Sequence, residues 1–224
     1  MMLQQKSRKI LIYIFLFLVI GTFNNKNLIK ANFIKLNKIN VTGLEEKNNI
    51  YLANKLNFLK FNNLIFLDKS QIIEIIDSNT LVEKFFVFKK YPSTLNIEIK
   101  KTKFLAQTKK NNKIFFLGSN GKFTRAYNLR PDIPYIFGEF KNKDFFELKK
   151  AVDETNFRYN QIKRLFFFKS GRWDIEMNDG LLIKLPRTGI KESLKLLIIF
   201  LDQHKKKRIK EIDLRQNRQI IING

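Results

Sequence analysis

The sequence predicts an α+β protein with a single N-terminal transmembrane helix, a compact β-α-α-β-β unit and then a mostly antiparallel β domain with flanking helices. Three observations lead to this prediction. An apolar run follows a basic start, a strand near residue 97 alternates between apolar and polar side chains, and the second half holds hairpin turns between short apolar runs. The 224 residues allow one large domain or two small ones after the helix.

The first element is an apolar segment at residues 10–23, which follows three basic residues. Its 14 residues are fewer than the roughly 17–25 of a usual spanning helix. A signal peptide has this length, but Ile29 stands where a cleavage site at Ala31 needs a small residue. We expect a retained anchor, with a cleaved signal and a buried core helix as alternatives, because Lys9 and Lys26 can reach the two membrane interfaces. The basic flank predicts a cytoplasmic N-terminus and an exported bulk.

Residues 24–33 are predicted to be a polar linker, and the first folded unit follows it. A strand over residues 35–41 ends at the turn Thr42-Gly43. Leucines at helical spacing predict a helix over residues 47–60. A second, short helix is predicted after Asp68, because Asp68-Lys69-Ser70-Gln71 has the form of a capping box.

Two strands complete this unit. Residues 85–91 are apolar with a β-rich composition, and the turn Tyr91-Pro92-Ser93 follows them. Leu95, Ile97 and Ile99 then alternate with polar residues, which predicts a strand with one buried face. The predicted order is therefore β-α-α-β-β over about 70 residues.

The second unit is richer in strands. A helix is predicted over residues 144–155 and a stronger one from Ile190 to Leu201, where apolar residues recur at i, i+4, i+7, i+8 and i+11. Residues 128–143 contain two proline turns and are predicted to be an extended loop. The predicted strands cover residues 114–117, 122–126, 165–169, 173–177, 181–185, 209–214 and 219–222.

The composition contains few signs of enzymatic chemistry. The chain has no cysteine and one histidine, His204, which we interpret as a surface residue at a helix end. Gly118-Ser119-Asn120-Gly121-Lys122 lacks the spacing and the Ser or Thr of a phosphate-binding loop, so a hairpin turn is expected there. Trp173 alternates with two apolar residues and is predicted to lie in the core. We expect neither an enzyme nor a cofactor.

The net charge of +23 is the strongest compositional signal. Lysine, asparagine, isoleucine and phenylalanine are inflated together, which is typical of AT-rich codon usage, and the lysines are spread along the chain. We therefore expect solvated lysines rather than a specific nucleic-acid surface, although attraction to anionic lipids or polymers needs no specific site.

Six short motifs occur in order between residues 36 and 215: Leu36-x-x-Ile39-x-Val41-x-Gly43, Asn62-Asn63-Leu64-Ile65-Phe66-Leu67-Asp68, Val87-x-Lys89-Lys90-Tyr91-Pro92-Ser93-Thr94-Leu95-x-Ile97-x-Ile99, Phe104-Leu105-Ala106, Gly121-Lys122-Phe123 and Ile212-Asp213-Leu214-Arg215. Together they resemble the bacterial cell-division family FtsQ, called DivIB in Gram-positive bacteria. The resemblance runs from about residue 6 to the end of the chain.

The resemblance implies a non-enzymatic scaffold of the divisome, single-pass in the inner membrane, that links early and late division proteins at the septum. Its partners would be FtsB and FtsL-type proteins and, through them, the septal peptidoglycan synthase. The alternatives are a secreted or membrane-anchored basic protein that binds anionic polymers and a POTRA-type assembly factor. The implied domains are a cytoplasmic tail (1–9), the anchor (10–23), the linker (24–33), a POTRA domain (34–103) and an FtsQ-type β domain (104–224).

The partner site is predicted at the C-terminal edge of the second unit. Residues 219–222 carry no charge and no proline, so an uncovered strand there suits pairing with an extended partner segment. In the family, the segment after the Asp-Leu-Arg signature receives FtsB, and the resemblance implies that Arg215 lies beside this site. The alternative is that Ile220 and Ile222 belong to the core and that Arg215 is a solvated charge. The candidate partner-binding residues are Arg215, Gln216, Gln219, Ile220, Ile221 and Ile222.

Overall fold

The computed structural model describes residues 2–23, 35–204, 209–216 and 219–223. The predicted linker at residues 24–33 and the basic run at residues 205–208 lie outside this description. The chain divides into two compact units, Met1–Lys101 and Thr102–Gly224. Together they form a mixed α+β protein with one small and one large sheet.

The N-terminal segment forms a helix, α1 (Met2–Phe23), which contains the predicted anchor at residues 10–23. Apolar side chains from Ile10 to Ile20 are exposed on it. Within the described part of the chain, no helix combines the length and the apolar character needed to span a membrane.

The rest of the first unit has the predicted order β-α-α-β-β. The elements are β1 (Lys38–Thr42), α2 (Glu46–Lys55), α3 (Lys69–Asp77), β2 (Val82–Lys90) and β3 (Thr94–Lys101). The middle strand, β3, pairs in parallel with β1 and antiparallel with β2, so the sheet order is β1-β3-β2.

Local residues account for the ends of these elements. Helix α2 ends five residues before the predicted end, and a 3₁₀ turn, Asn57–Leu59, follows it. At the start of α3 the Asp68 carboxylate accepts a hydrogen bond from the Ser70 N–H at 2.9 Å, as an N-cap residue should. Gly43 has φ +105°, and a Cβ there would lie 1.8 Å from the carbonyl oxygen of Ile99, so only glycine fits the turn after β1.

The prediction of a half-buried strand is confirmed in β3. Leu95 and Ile97 are fully buried and Ile99 is nearly so, whereas Glu98 is exposed. The buried face of β3 packs against both helices, in a core that also contains Leu36, Leu52, Leu56, Leu59, Leu64, Leu67, Ile72, Ile76 and Val82.

The second unit is built on a large sheet and two helices. The elements are β4 (Phe104–Lys110), β5 (Lys113–Gly118), β6 (Phe123–Ala126), β7 (Tyr135–Phe137), α4 (Asn142–Asp153), a 3₁₀ turn (Tyr159–Gln161), β8 (Ile162–Phe167), β9 (Trp173–Met177), β10 (Leu182–Lys184), α5 (Ile190–Gln203), β11 (Glu211–Asp213) and β12 (Ile221–Asn223). The nine strands of the sheet have the order β12-β11-β10-β9-β8-β7-β4-β5-β6. Most neighbouring strands are antiparallel, as predicted, but β4–β7, β7–β8 and β10–β11 are parallel.

Helices α4 and α5 are the crossover connections of the parallel pairs β7–β8 and β10–β11. Their buried side chains form one core with those of the sheet, and this core contains Trp173, as predicted, and Ile175. The helical members of this core are Phe145, Leu148, Val152, Leu194 and Leu197.

Two strands of the large sheet are missing from the sequence prediction. The prediction of an extended loop over residues 128–143 is wrong at Tyr135–Phe137, because these residues form β7 between β4 and β8. Strand β4 was not predicted at all. Its buried residues include Gln107 and Thr108. Because these side chains are polar, the strand lacks the hydrophobic pattern by which a buried strand is predicted from sequence.

Candidate functional site

The candidate site is the C-terminal edge of the nine-stranded sheet. Strand β12 pairs antiparallel with β11, with Ile212 opposite Ile222 and Asp213 opposite Ile221. It is the last strand of the sheet, and among the strands that the structure describes none pairs with its outer side. Its outer backbone groups therefore form an unblunted edge within the described chain.

The side chains of this edge divide between the two faces of the sheet. Ile220 is half-buried and packs against the core. Ile221 is 48% exposed and Ile222 is 43% exposed, and Gln219 is also exposed. The alternative that these isoleucines are core residues therefore holds in part for Ile220 but not for Ile222. The strand itself begins two residues later than predicted and ends at Asn223.

Arg215 lies directly before the turn to β12, and the Asp213 carboxylate holds its guanidinium. Nε of Arg215 donates to both carboxylate oxygens at 2.9 Å, and its Nη2 donates to Oδ2. The backbone N–H of Arg215 also donates to Asp213 Oδ1, at 2.9 Å. The side chain remains 41% exposed. A guanidinium has five N–H donors, so the Arg215 guanidinium, although Asp213 holds it in place, retains donors for a second carboxylate.

The Arg215 hydrogen bonds also set the protonation of Asp213. Because they favour the carboxylate form, they lower the pKa of Asp213 below its usual range. Gln216 follows as an exposed residue, and its carbonyl accepts a hydrogen bond from Gln219 N–H at 3.3 Å across the turn. The predicted residues on both sides of the turn thus lie together at one edge.

Beside this edge lies a row of charged side chains, and the sequence analysis does not identify this row. Asp174 of β9, Lys184 of β10 and Asp213 of β11 lie opposite one another across three strands. Lys184 Nζ lies 2.8 Å from Glu211 Oε1. The spacing of these residues along the chain gives no hint of the row, because only the register of β9, β10 and β11 brings them together.

Asp174 is the most deeply buried carboxylate of the row, with 4% of the residue exposed against 8% for Asp213. Its Oδ1 lies 3.6 Å from Nε of Arg172, near enough for an ion pair but too far for a hydrogen bond. Burial removes water from the charged form, so the pKa of Asp174 is raised, although Arg172, Lys184 and Arg215 act in the opposite direction.

A groove lies on the other side of Arg215, between this residue and the start of α5. The backbone of Leu214 is fixed there by a 2.9 Å hydrogen bond from its N–H to the carbonyl of Lys184. The groove is lined by Pro186, Thr188, Gly189, Glu192, Ser193, Leu196, Leu214 and Arg215.

The interpretation of His204 as a helix-end residue is confirmed. It follows the last residue of α5, and its Nδ1 lies 2.9 Å from the Phe200 carbonyl oxygen, while the two rings stack at 4.3 Å. Within the described residues, no three acidic or histidine side chains are grouped in a way that could hold a metal ion.

Residues 106–215, which run from β4 to the end of the Asp213-Leu214-Arg215 signature, match the family model of the C-terminal part of the cell-division protein FtsQ/DivIB. The chain belongs to the FtsQ/DivIB family. The match ends at Arg215, so the edge strand β12 lies beyond it.

Two relatives are cell-division proteins named FtsQ. That of Rickettsia bellii (strain RML369-C) is 22% identical over 191 residues, covering 84% of this chain and 72% of the relative. That of Bradyrhizobium diazoefficiens is 25% identical over 139 residues, covering 60% of this chain and 40% of the relative. A solved structure, the trans isomer of the major extracytoplasmic domain of DivIB from Geobacillus stearothermophilus, is 14% identical, covers 48% of this chain and 98% of that one, and has a TM-score of 0.34.

Proposed function

We propose that this chain is a non-enzymatic scaffold of the divisome that links early and late division proteins at the septum by binding FtsB and FtsL-type proteins. The septal peptidoglycan synthase would be joined through them. Family membership supports a role in cell division, and the open edge of β12 supports a role in binding. The edge is the observation on which the proposal depends.

In this proposal an extended segment of the FtsB-type partner adds to the sheet beside β12. Main-chain hydrogen bonds would supply the pairing, and the exposed side chains of Ile221 and Ile222 would contact alternate side chains of the segment. An acidic residue of the partner would bind the remaining donors of Arg215, which Asp213 holds in a fixed orientation.

The proposal includes attachment to the inner membrane through α1, as a single pass with a cytoplasmic N-terminus and a periplasmic bulk. The exposed apolar side chains from Ile10 to Ile20 support attachment, since water does not favour such a surface. The run is short, and local thinning of the bilayer and snorkelling of Lys9 and Lys26 would accommodate it. The POTRA domain (34–103) and the β domain (104–224) would then follow outside the cytoplasm.

A pull-down with the FtsB-type protein of the same cell tests the binding edge. Deleting residues 219–224 is expected to abolish capture of the partner, because the strand that the partner extends is lost. Ile221→Lys is expected to weaken capture while leaving the fold intact, since the side chain is exposed and a charge on an edge opposes further pairing.

Arg125→Glu is the matched control. Arg125 is exposed on β6, the strand at the opposite edge of the same sheet. The Arg125→Glu variant should capture as much partner as the unchanged chain does, whereas the Arg215→Glu variant should capture less. Undiminished capture by the deletion variant would refute the proposed edge.

A further inference from the structure

The loop between α2 and α3 exposes several large apolar side chains within nine residues. Phe58 is 53%, Phe61 72%, Ile65 45% and Phe66 65% exposed. Three leucines of the same loop are buried and fix it to the core of the first unit: Leu59, Leu64 and Leu67. The loop is therefore packed in place with its aromatic side chains turned outward.

Phe61 has a second unfavourable property. Its φ is +71°, in the left-handed region that bulky side chains avoid. Two main-chain hydrogen bonds hold it there: Phe61 N–H donates to Leu36 O at 2.8 Å, and Leu36 N–H donates to Asn62 O at 2.9 Å. Neither stability nor solubility explains a strained and exposed phenylalanine, and backbone strain of this kind is concentrated at functional positions.

The turn between β2 and β3 lies at the same end of the unit. The Ser93 carbonyl accepts hydrogen bonds from the N–H groups of Asn37 and Lys38, next to the Leu36 that holds the loop. Tyr91 of this turn is 59% exposed. Its amphipathic ring joins the exposed phenylalanines at this end of the sheet.

Lysines surround these side chains. Lys89 Nζ donates to the Ile65 carbonyl at 2.8 Å, and Lys35 forms a backbone bridge with Asn63. Lys60 lies within the loop and Lys90 precedes Tyr91. We call this surface the aromatic end, defined by Phe58, Phe61, Ile65, Phe66 and Tyr91 with Lys35, Lys60, Lys89 and Lys90.

The aromatic end is also where the chain arrives from α1. Lys35 lies 12 residues after Phe23, the last residue of that helix. At roughly 3.3–3.6 Å per residue the connection reaches at most about 40 Å. Lys35, at the aromatic end, therefore lies no farther than this from the last residue of α1, so contact between the aromatic end and a bilayer that holds α1 is sterically allowed.

We propose that the aromatic end contacts the headgroup layer of a membrane that contains anionic lipids. Tyrosine and other amphipathic aromatic side chains favour this layer, and lysines beside it are attracted to anionic headgroups. The inference rests on the proposed attachment through α1 and adds a second contact, which would orient the first unit on the membrane. A protein partner seated on the same surface is the competing occupant that the test must separate.

The absence of cysteine permits a direct test. The full chain carrying Phe61→Cys, labelled with an environment-sensitive fluorophore, is bound to vesicles of phosphatidylethanolamine and phosphatidylglycerol that contain spin-labelled lipids. We expect lipid quenching at least twofold stronger than for the control Phe86→Cys. Phe86 is 58% exposed and lies on the outer face of β2, away from the aromatic end. Adding Lys89→Glu and Lys90→Glu should reduce the quenching at position 61.

Vesicle flotation of the same samples measures attachment through α1 separately. Flotation with equal quenching at positions 61 and 86 would overturn the lipid contact and leave the attachment intact. If the fluorophore at position 61 reports a less polar environment but no lipid quenching, the aromatic end contacts a protein surface instead. This result would also overturn the proposed lipid contact. Failure to float would overturn both proposals.

Discussion

At the scale of single residues, Asp174 and Asp213 show how the local environment shifts the pKa values of two neighbouring carboxylates in opposite directions. Hydrogen bonds from Arg215 lower the pKa of Asp213, whereas burial raises the pKa of Asp174. The charged form of Asp213 therefore stabilises the fold, and the charged form of Asp174 costs stability. Both effects arise within one row of strands beside the candidate edge.

The two carboxylates should respond oppositely to neutralisation at pH 7. Asp174→Asn is expected to raise the midpoint of thermal unfolding, because it removes the buried negative charge and nearly keeps the shape of the side chain. Asp213→Asn is expected to lower stability by about 1 kcal/mol, a value kept small because Arg215 is partly exposed and solvent screens the pair. Thermal melts of the purified variants measure both changes.

The pH dependence gives an independent check. The stability that Asp213 contributes is present above its unfolded pKa, about 3.9, and is lost as the pH falls through its lower folded pKa. The advantage of Asp174→Asn should shrink as the pH falls through the raised pKa of Asp174, because the wild-type carboxyl is then neutral as well. Exposed Glu147→Gln serves as the control and should change little. Changes of the same sign in both variants would contradict the proposed environments.

At the scale of elements, strict alternation made β3 the most predictable strand. Its pattern from Leu95 to Ile99 reports directly on which face is buried, since successive side chains of a strand point to opposite faces. A single residue of each face therefore suffices to test the strand.

Ile97→Ala should destabilise the first unit by roughly 2–5 kcal/mol, because Ile97 is fully buried between β1 and β2 and its removal leaves a cavity. Glu98→Ala, on the exposed face of the same strand, should stay within about 0.5 kcal/mol of the unchanged chain. Amide hydrogen exchange of the β2 and β3 amides under native conditions measures both. Equal effects would mean that the buried face has been assigned wrongly.

The elements that the sequence does not predict depend on tertiary contacts. In β4, Gln107 Nε2 donates to the Ile133 carbonyl at 3.0 Å, and Thr108 Oγ1 donates to the Ile136 carbonyl at 3.1 Å, so polar side chains occupy a buried strand. Strand β7 has three residues, too few for a periodic pattern. Gly138 ends it with φ +95°, where a Cβ would lie 2.1 Å from the Phe167 carbonyl oxygen.

The sequence predicts only part of the candidate edge, because some of its contacts also depend on the tertiary structure. The lack of charge and proline in residues 219–222 indicates an open edge, and Ile221 and Ile222 are indeed exposed. The bond between Arg215 and Asp213 depends on a side-chain rotamer, and the charge row depends on strand register. Neither follows from spacing along the chain.

At the scale of the whole molecule, the predicted topology is the property with the widest consequences. If α1 is a retained single pass with its N-terminus in the cytoplasm, a C-terminal alkaline phosphatase fusion should be active. A C-terminal fluorescent protein that folds only in the cytoplasm should be dark. Leu16→Arg should release the chain from membranes washed with alkaline carbonate, because arginine at mid-span costs roughly 2.5–3.5 kcal/mol on the insertion scale.

The opposite fusion pattern would contradict both the topology and the proposed role at the septum. Release of the unchanged chain by the carbonate wash would contradict the retained anchor alone. The conservative change Leu16→Ile provides the matched control and should remain in the membrane fraction, since it keeps the apolar surface of the helix.

The shortness of β12 limits the free energy that main-chain pairing could contribute in the proposed complex. Its three residues would offer about two or three new main-chain hydrogen bonds, which at about 0.5–1.5 kcal/mol each would contribute roughly 1–4.5 kcal/mol. A micromolar dissociation constant corresponds to about 8 kcal/mol. In the proposed complex, most of such an affinity would then come from side chains beyond the strand, at Arg215 and along the groove beside α5. An interface divided in this way would release the partner when either half is displaced.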